Sequence, residues 1–383
     1  MAFRVSTIEH PEGMRGIEGE WAALLERTGN TLPFLLPDWH TTWWDVFRQN
    51  RLLLRDSLRL KIVRRESGEL VGVVPLMLTD RPRVGPLRLK TLGFLGADRY
   101  ITEQRAPAVA SGCEGDVARA LATDLREGEE WNWIAWEGLR RGSEFALELE
   151  RALPLRWADE ETAHLLKLPR SWDDFRGGLK RNIKESLRHC YNSLKRDGLT
   201  PRLVVAESPA EVGRALRTFF VLHAARARQE GTIAHLDRFA APQARRFLEL
   251  VCARLAERGI ARVFTLMIDD RPVAARVGFE LPGCLYLYYS GFDPGLGKYS
   301  VMTTTVAETL KHAIERGIPR VHLSMGVDTS KSRWGPETIT YQQANWIRPG
   351  WTSEAALRFY VWGRSAGIGG RFLKPFLPKR TFD

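Results

Sequence analysis

The sequence predicts an α/β protein made of two similar modules, and three observations carry the prediction. The first is length: 383 residues, at roughly 100–200 per domain, make two or three domains. The second is patterning, because short apolar or alternating runs of strand length take turns with longer runs of helical periodicity. The third is recurrence. The order of strands and helices in the first half returns in the second at a spacing of roughly 200 residues, although residue identity is low. Hydrophobic residues at 44% and charged residues at 27% supply apolar side chain for two cores and exclude a largely disordered chain.

In the first half, residues 21–25 and 39–47 read as helices. LRLKIVRR (58–65) and LVGVVPLML (70–78) read as strands joined by a turn at Gly68. A third strand (87–96), a helix (116–128) and the buried strand WNWIAWEGL (131–139) follow, then a helix near 143–152 and a strand at 164–168. Trp131, Trp133 and Trp136 cannot share one face of that strand, since Trp133 points opposite to Trp136. The second half repeats the plan. A hairpin (264–280) turns at Asp269, Asp270 and Arg271, and a strand (284–291), a helix (303–317) and a strand (320–326) come after it. DLREGEEWNWIAWEG and HAIERGIPRVHLSMG each read as a helix closed by glycine and then a strand ending in glycine. The modules are expected at 1–168 and 169–383.

Between the halves the pattern predicts one helix, Ser171 to Arg196, with a Ser171–Asp174 capping box and a stop at Gly198. Trp172, Phe175, Leu179, Ile183, Leu187, Tyr191 and Leu194 form an apolar stripe. The opposite face carries Arg176, Lys180, Arg181, Lys184, Arg188, Lys195 and Arg196 against Glu185 alone. Such a face is ordinarily just solvated, but the shortage of acids is unusual because i,i+4 pairing normally recruits glutamate. The whole chain is basic, with 57 Lys+Arg against 46 Asp+Glu, a net charge of +11. That favours an anionic partner, unless the arginines are merely spread over the surface.

Cys113, Cys190, Cys252 and Cys284 lie far apart with no ligand spacing, so neither a disulfide framework nor a metal site is expected, and a reducing compartment fits. The first residues hold no apolar run of secretory type, and no stretch approaches a membrane span, so a cytoplasmic protein is expected. The final stretch, helix-like over 353–365 and basic and apolar over 370–380, suits weak contact with an acidic membrane surface.

The chemistry concentrates in SGFDPGLGKYSVMTTTVAETL (290–310), where a strand passes through Gly291, Gly295 and Gly297 into a long helix. Unpaired N–H groups and the positive end of the macrodipole make such a helix start a phosphate site, though glycine loops are commonly mere turns. The loop is neither GxGxxG nor GxxxxGK[ST], so neither a dinucleotide nor a P-loop nucleotide is indicated. No GxSxG elbow or other nucleophile triad is readable.

LKRNIKESLRH (179–189), HAARARQEG (223–231), YLYYSGFDP (286–294) and LSMGVDTSKSRWG (323–335) resemble the acetyltransferase domain of the CelD/BcsL-like GNAT family, related to the FemAB-type transferases. PFLLPDW, LVGVVPLML and LGFLGADRY extend the resemblance into the first half. It implies two tandem GNAT-like modules, each a mixed sheet flanked by helices. It also implies an acyl-CoA (acetyl-CoA or longer) co-substrate, an N-acyl transfer to a sugar, amino acid or peptide amine, and a link to exopolysaccharide loci. By that resemblance Gly295, Gly297, Lys298, Ser300 and Thr303 cradle the cofactor phosphates, and Tyr288 and Ser290 border the acyl arm. Lys331 stands where Fem-type enzymes place a lysine near the transferred carbonyl, although Ser-Lys-Ser replaces Phe-Lys here. The long helical arm that some Fem proteins use with transfer RNA has no counterpart, which weakens an aminoacyl-tRNA donor and leaves nucleic acid an unfavoured partner. A non-catalytic scaffold is a further alternative. Candidates for the proton-accepting group are His223, Asp293, Asp328 and Glu280; packing for His223, capping for Asp293 and a surface ion pair with Lys331 for Asp328 are the alternatives. Arg181, Arg226 and Trp334 are the candidate acceptor contacts; Trp334 and Trp346 flank the site as lining for an acyl or sugar pocket, with core packing as the more ordinary role. The oligomeric state is not legible.

Overall fold

The computed structural model describes residues 3–81, 88–96, 98, 100–229, 235–326, 328–351, 353–356 and 358. The chain forms two compact units, one of residues 1–30, 34–161 and 340–383 and one of 31–33 and 162–339. The division differs from a cut at 168/169 at both ends. The late strand Glu337–Ile347 pairs with Trp133–Leu139, so the chain re-enters the first unit after leaving it.

The first unit opens with β1 (Phe3–Ile8), α1 (Pro11–Gly16), α2 (Glu18–Arg27) and α3 (Pro37–Phe47). Next come β2 (Asn50–Arg51), β3 (Leu54–Leu58), β4 (Leu60–Arg65), β5 (Leu70–Val74), β6 (Leu76–Arg81), β7 (Leu89–Phe94) and β8 (Ala108–Val109). It continues with α4 (Glu114–Glu127), β9 (Trp133–Leu139) and α5 (Glu144–Ala152), and β10 (Arg156–Lys167) leads out of it. The single strand expected over 70–78 is broken at Pro75, which has no N–H to give a ladder. β5 therefore joins the small sheet β1-β4-β5-β8, whereas β6 pairs with β7. β7 and β9 run parallel, with α4 as their crossover.

The second unit holds α6 (Trp172–Gly178), α7 (Arg181–Arg196), β11 (Pro201–Ala206), α8 (Pro209–Ala227) and α9 (Pro242–Glu257). The strands β12 (Ala261–Ile268), β13 (Arg271–Leu281) and β14 (Cys284–Phe292) lead into α10 (Val301–Glu315), β15 (Arg320–Met325) and α11 (Thr329–Ser332). Its strand order is β11-β12-β13-β14-β15-β10. The β12–β13 turn places Asp269 and Asp270 at φ 48° and 62°, the paired left-handed residues of a tight hairpin. The helix expected over 171–196 is two helices. Gly177 and Gly178 end α6, and Leu179 and Lys180 are extended before α7 begins. Ser171 still caps the first, accepting from the Asp174 N–H at 3.1 Å, and Gly198 at φ 69° follows the end of the second.

The recurrence is visible in both units. A strand, a pair of helices or more, a hairpin, a strand, a crossover helix and a parallel strand follow in the same order. The expected 353–365 helix and the 370–380 tail lie almost wholly outside the described residues. No helix among the described residues is long and apolar enough to cross a membrane.

Candidate functional site at the parting of two strands

β14 and β15 pair only at Leu285–Val321 and Tyr286–His322. Beyond that point β14 stays on β13, while β15 follows β10, where Ala163 faces Met325. The result is a wedge open toward the carboxyl ends of the two strands. β14 is also bulged: between Leu287 opposite Gly278 and Ser290 opposite Arg276 it carries Tyr288 and Tyr289 against Val277 alone. A bulge bends its strand and re-aims side chains.

α8 covers one side of this wedge. A side chain at Gly291 would run into the backbone of Leu222 and His223, so only glycine permits the approach of strand and helix. His223 is thereby held over β14. Its Nδ1–H donates to the Ser290 carbonyl at 2.8 Å, and Nε2 accepts from the Arg238 N–H at 3.3 Å, which fixes the neutral tautomer. Burial lowers its pKa, opposed by the Ser290 contact and the Asp237 charge. One turn later Arg226 donates to Ser290 Oγ at 3.0 Å and lies against His235. The shared face expected of His223 and Arg226 thus meets at one residue.

The other lip comes from β15 and α11. Asp328 caps α11, its Oδ1 accepting from the Ser330 N–H at 2.8 Å. Burial works against the Asp328 charge, but the Ser330 contacts, Lys331 and Arg226 outweigh it and keep the carboxyl below the usual range. The Lys331 ammonium donates to the carbonyl of Met325, the last residue of β15. Its charge also bears on buried His322, whose pKa burial first and then Lys331 and His164 push down to about 3. His322 stacks on Tyr286 at 4.4 Å, and its Nδ1 accepts from the Ser324 N–H. Ser324 sits at φ 72°, a strained position for serine at the tip of the wedge.

The loop ahead of α10 is a short 3₁₀ turn, Pro294–Tyr299, entered through Asp293. Ser300 at φ 50° starts α10. A side chain at Gly297 would meet open space. At the start of the helix Arg333 donates to Thr303 Oγ1 at 2.9 Å and to Ser186 Oγ at 3.2 Å; the Asp328 charge bears on it, but no carboxylate among the described residues is in ion-pair contact with it. A guanidinium beside the positive end of a helix is electrostatically unfavourable unless an anion joins them.

Several expected contacts lie elsewhere. Trp334 is buried in the core beside Phe175, and Trp346 packs on Trp131 within the first unit, so neither lines the wedge. Arg181 is exposed and pairs with Glu185 one turn on. Glu280 sits near the hairpin end of β13, engaged by Arg262 and Arg316. Asp293 has both oxygens committed, one to the Gly295 N–H at 2.9 Å and one to Arg271. Lys298 extends to Asp197 at 3.3 Å. The Tyr288 ring is buried against Phe279 and Tyr289. The residues that sequence reasoning missed are His322, Ser324, His235 and Arg333. In RVHLSMG the polar His322 and Ser324 alternate with Val321 and Leu323, and that alternation was the available signal.

Residues 181–332 match the family described as Acetyltransferase (GNAT) domain, a span running from the start of α7 to the end of α11. No curated protein matches the chain. Among solved structures, FemX superposes with a TM-score of 0.58 at 13% identity, covering 89% of this chain and 97% of its own. The C-terminal domain of a putative lysylphosphatidylglycerol synthetase from Agrobacterium fabrum gives 0.50 at 13% identity over 91% and 95%. L-PGS from Bacillus licheniformis gives 0.50 at 13% over 91% and 96%. At such identities the likeness is one of fold. The chain has a GNAT-type acyltransferase fold, and its matched segment is the one that builds the wedge.

Proposed function

We propose that the protein is an acyl-CoA-dependent N-acyltransferase, of the CelD/BcsL-like kind its sequence resembles. The observation that carries the reading is the wedge itself: two parallel strands that part after two paired positions, with an open glycine loop and a helix start at its mouth. Arg333, held on Thr303 at that helix start with no carboxylate among the described residues in ion-pair contact, supports a phosphate there. Acyl-CoA supplies an activated thioester carbonyl.

This chain's residues then have distinct tasks. A backbone N–H of β14 near Tyr288–Ser290, where the strand parts from β15, stabilises the oxyanion that forms as an amine adds. His223 donates to the Ser290 carbonyl and so positions that strand. Lys331 adds positive charge at the β15 lip without acting as a base. Asp328, ionised at neutral pH, draws in an ammonium acceptor and takes up one proton directly or through water; the C–S bond then breaks and the departing thiolate takes the second proton that the nitrogen gives up. The acceptor class consistent with this is a sugar, amino acid or peptide amine.

Calorimetric titration with coenzyme A tests the reading. Binding to the wild type is expected, and Gly297→Val should abolish it with the melting temperature unchanged, since the site of the new side chain is open. No coenzyme A binding, together with tight transfer-RNA binding that survives physiological salt, would replace this reading with a Fem-like aminoacyl donor. No binding of either leaves the scaffold alternative.

A further inference from the structure

Away from the wedge, α6, the middle of α7 and Lys311 of α10 enclose a cleft of about 590 Å³. Lys311 is ten residues beyond Val301, about 15 Å along the helix from the start of α10. One wall of the cleft is apolar and aromatic. Leu187 is buried, and the Lys311 ammonium lies 5.3 Å from the Trp172 ring centroid and 4.8 Å from that of Tyr191. Tyr191 in turn donates to Glu308, which also holds Lys311 at 2.7 Å, so the ammonium is fixed from both sides.

The rim is cationic: Arg176, Lys184, Arg188 and Lys311. Asp173 neutralises Arg176 at 3.1 Å, and Glu308 neutralises Lys311. Among the described residues Lys184 donates only to the Gly177 carbonyl, at 2.7 Å, and Arg188 has no carboxylate partner. Two positive charges therefore remain uncompensated around one hollow.

We propose that this cleft binds a phosphate monoester carried on a flat or apolar body. A phosphate monoester has a charge of about −1.5 to −2 at neutral pH, which matches the excess. The Arg188 fork suits two phosphate oxygens, Lys184 supplies a point charge, and the exposed edge of Trp172 offers a face to the body of the ligand. A nucleic acid strand needs cations along an extended track, whereas these two line a single cleft. The inference stands apart from acyl transfer and holds whether or not coenzyme A binds at the wedge.

Titration of the full chain with phenyl phosphate and with inorganic phosphate tests it. Phenyl phosphate should bind the wild type and bind the double variant Lys184→Gln, Arg188→Gln at least about tenfold more weakly. Binding of dephospho-coenzyme A, which carries no phosphate monoester, and the melting temperature should stay as in the wild type. Trp172→Ala should weaken phenyl phosphate and leave inorganic phosphate unchanged. Sedimentation with phosphatidic acid vesicles identifies the source: pelleting that the double variant loses marks a lipid headgroup, and its absence alongside phenyl phosphate binding marks a soluble ligand. The proposal is overturned if phenyl phosphate does not bind, if the double variant binds it equally well, or if single-stranded RNA binds far more tightly through the same two residues.

Discussion

The chain contains the same strand arrangement twice, and the two copies differ in what fills it. In the first unit β7 and β9 run parallel over Thr91–Gly93, and Phe94 packs on fully buried Trp136 at 5.4 Å. The connection after β7 is long and tied down: Asp98 receives the Trp43 indole N–H at 2.6 Å, and buried Arg105 donates to the Gly96 carbonyl. In the second unit the corresponding pair parts around His322, Ser324, Ser290 and His223, and the connection is one short turn beside an open surface. One copy is closed by aromatic packing and the other is lined by titratable groups. The topology creates the gap, and the side chains decide whether it becomes core or site.

The largest effect should come from reopening the closed copy. Trp136→Ala removes a fully buried indole and should cost about 3–5 kcal/mol in urea unfolding. Coenzyme A affinity at the other copy should be unaffected; a parallel loss of affinity would show that the two gaps do not act independently.

Next is the charge at the working lip. Lys331→Met should lower turnover by about 10²–10³, the scale of one lost stabilising donor, with little change in melting temperature. Turnover near that of the wild type would leave Lys331 only its bond to the Met325 carbonyl and move attention to Asp328.

A smaller effect is expected from the strand–helix contact. Gly291→Ala puts a methyl group into the α8 backbone and should destabilise by about 3 kcal/mol, whereas Gly297→Ala, six residues on, should stay within about 0.5 kcal/mol. Equal unfolding midpoints for the two variants would refute the close approach that places His223 over Ser290.

The smallest concerns pH. Burial pushes the pKa of His40 in the first unit down to about 3, from about 6.5 when unfolded. Its neutral form stabilises the fold fully above pH 6.5, and that contribution falls by up to about 1.4 kcal/mol per unit as the pH drops toward 3. From pH 6.5 to 5.0 the loss is about 1.6 kcal/mol. Urea midpoints of His40→Phe should therefore fall less over this interval than those of the wild type, the residual slope coming from His322 and its neighbours. Identical slopes would remove His40 from the account.

Much of this was legible in the sequence because it follows from local rules. Period and punctuation located the hairpins, the crossover helices and the recurrence. Glycines at helix ends, the Ser171 cap and the Asp269–Asp270 turn are decided within a few residues of themselves. The i,i+3 spacing of His223 and Arg226 already put them on one face. Tertiary structure decided the rest. Whether Trp334 is core or lining depends on Phe175, far away in sequence, and the fate of Asp293 depends on Arg271 across a hairpin. The bulge at Tyr288–Tyr289, the parting of β14 from β15 and the meeting of Asp328 with Arg226 are products of strand pairing over long separations. Pairing of that kind leaves no periodic trace in the chain, so the residue types were readable while their assembly into a site was not.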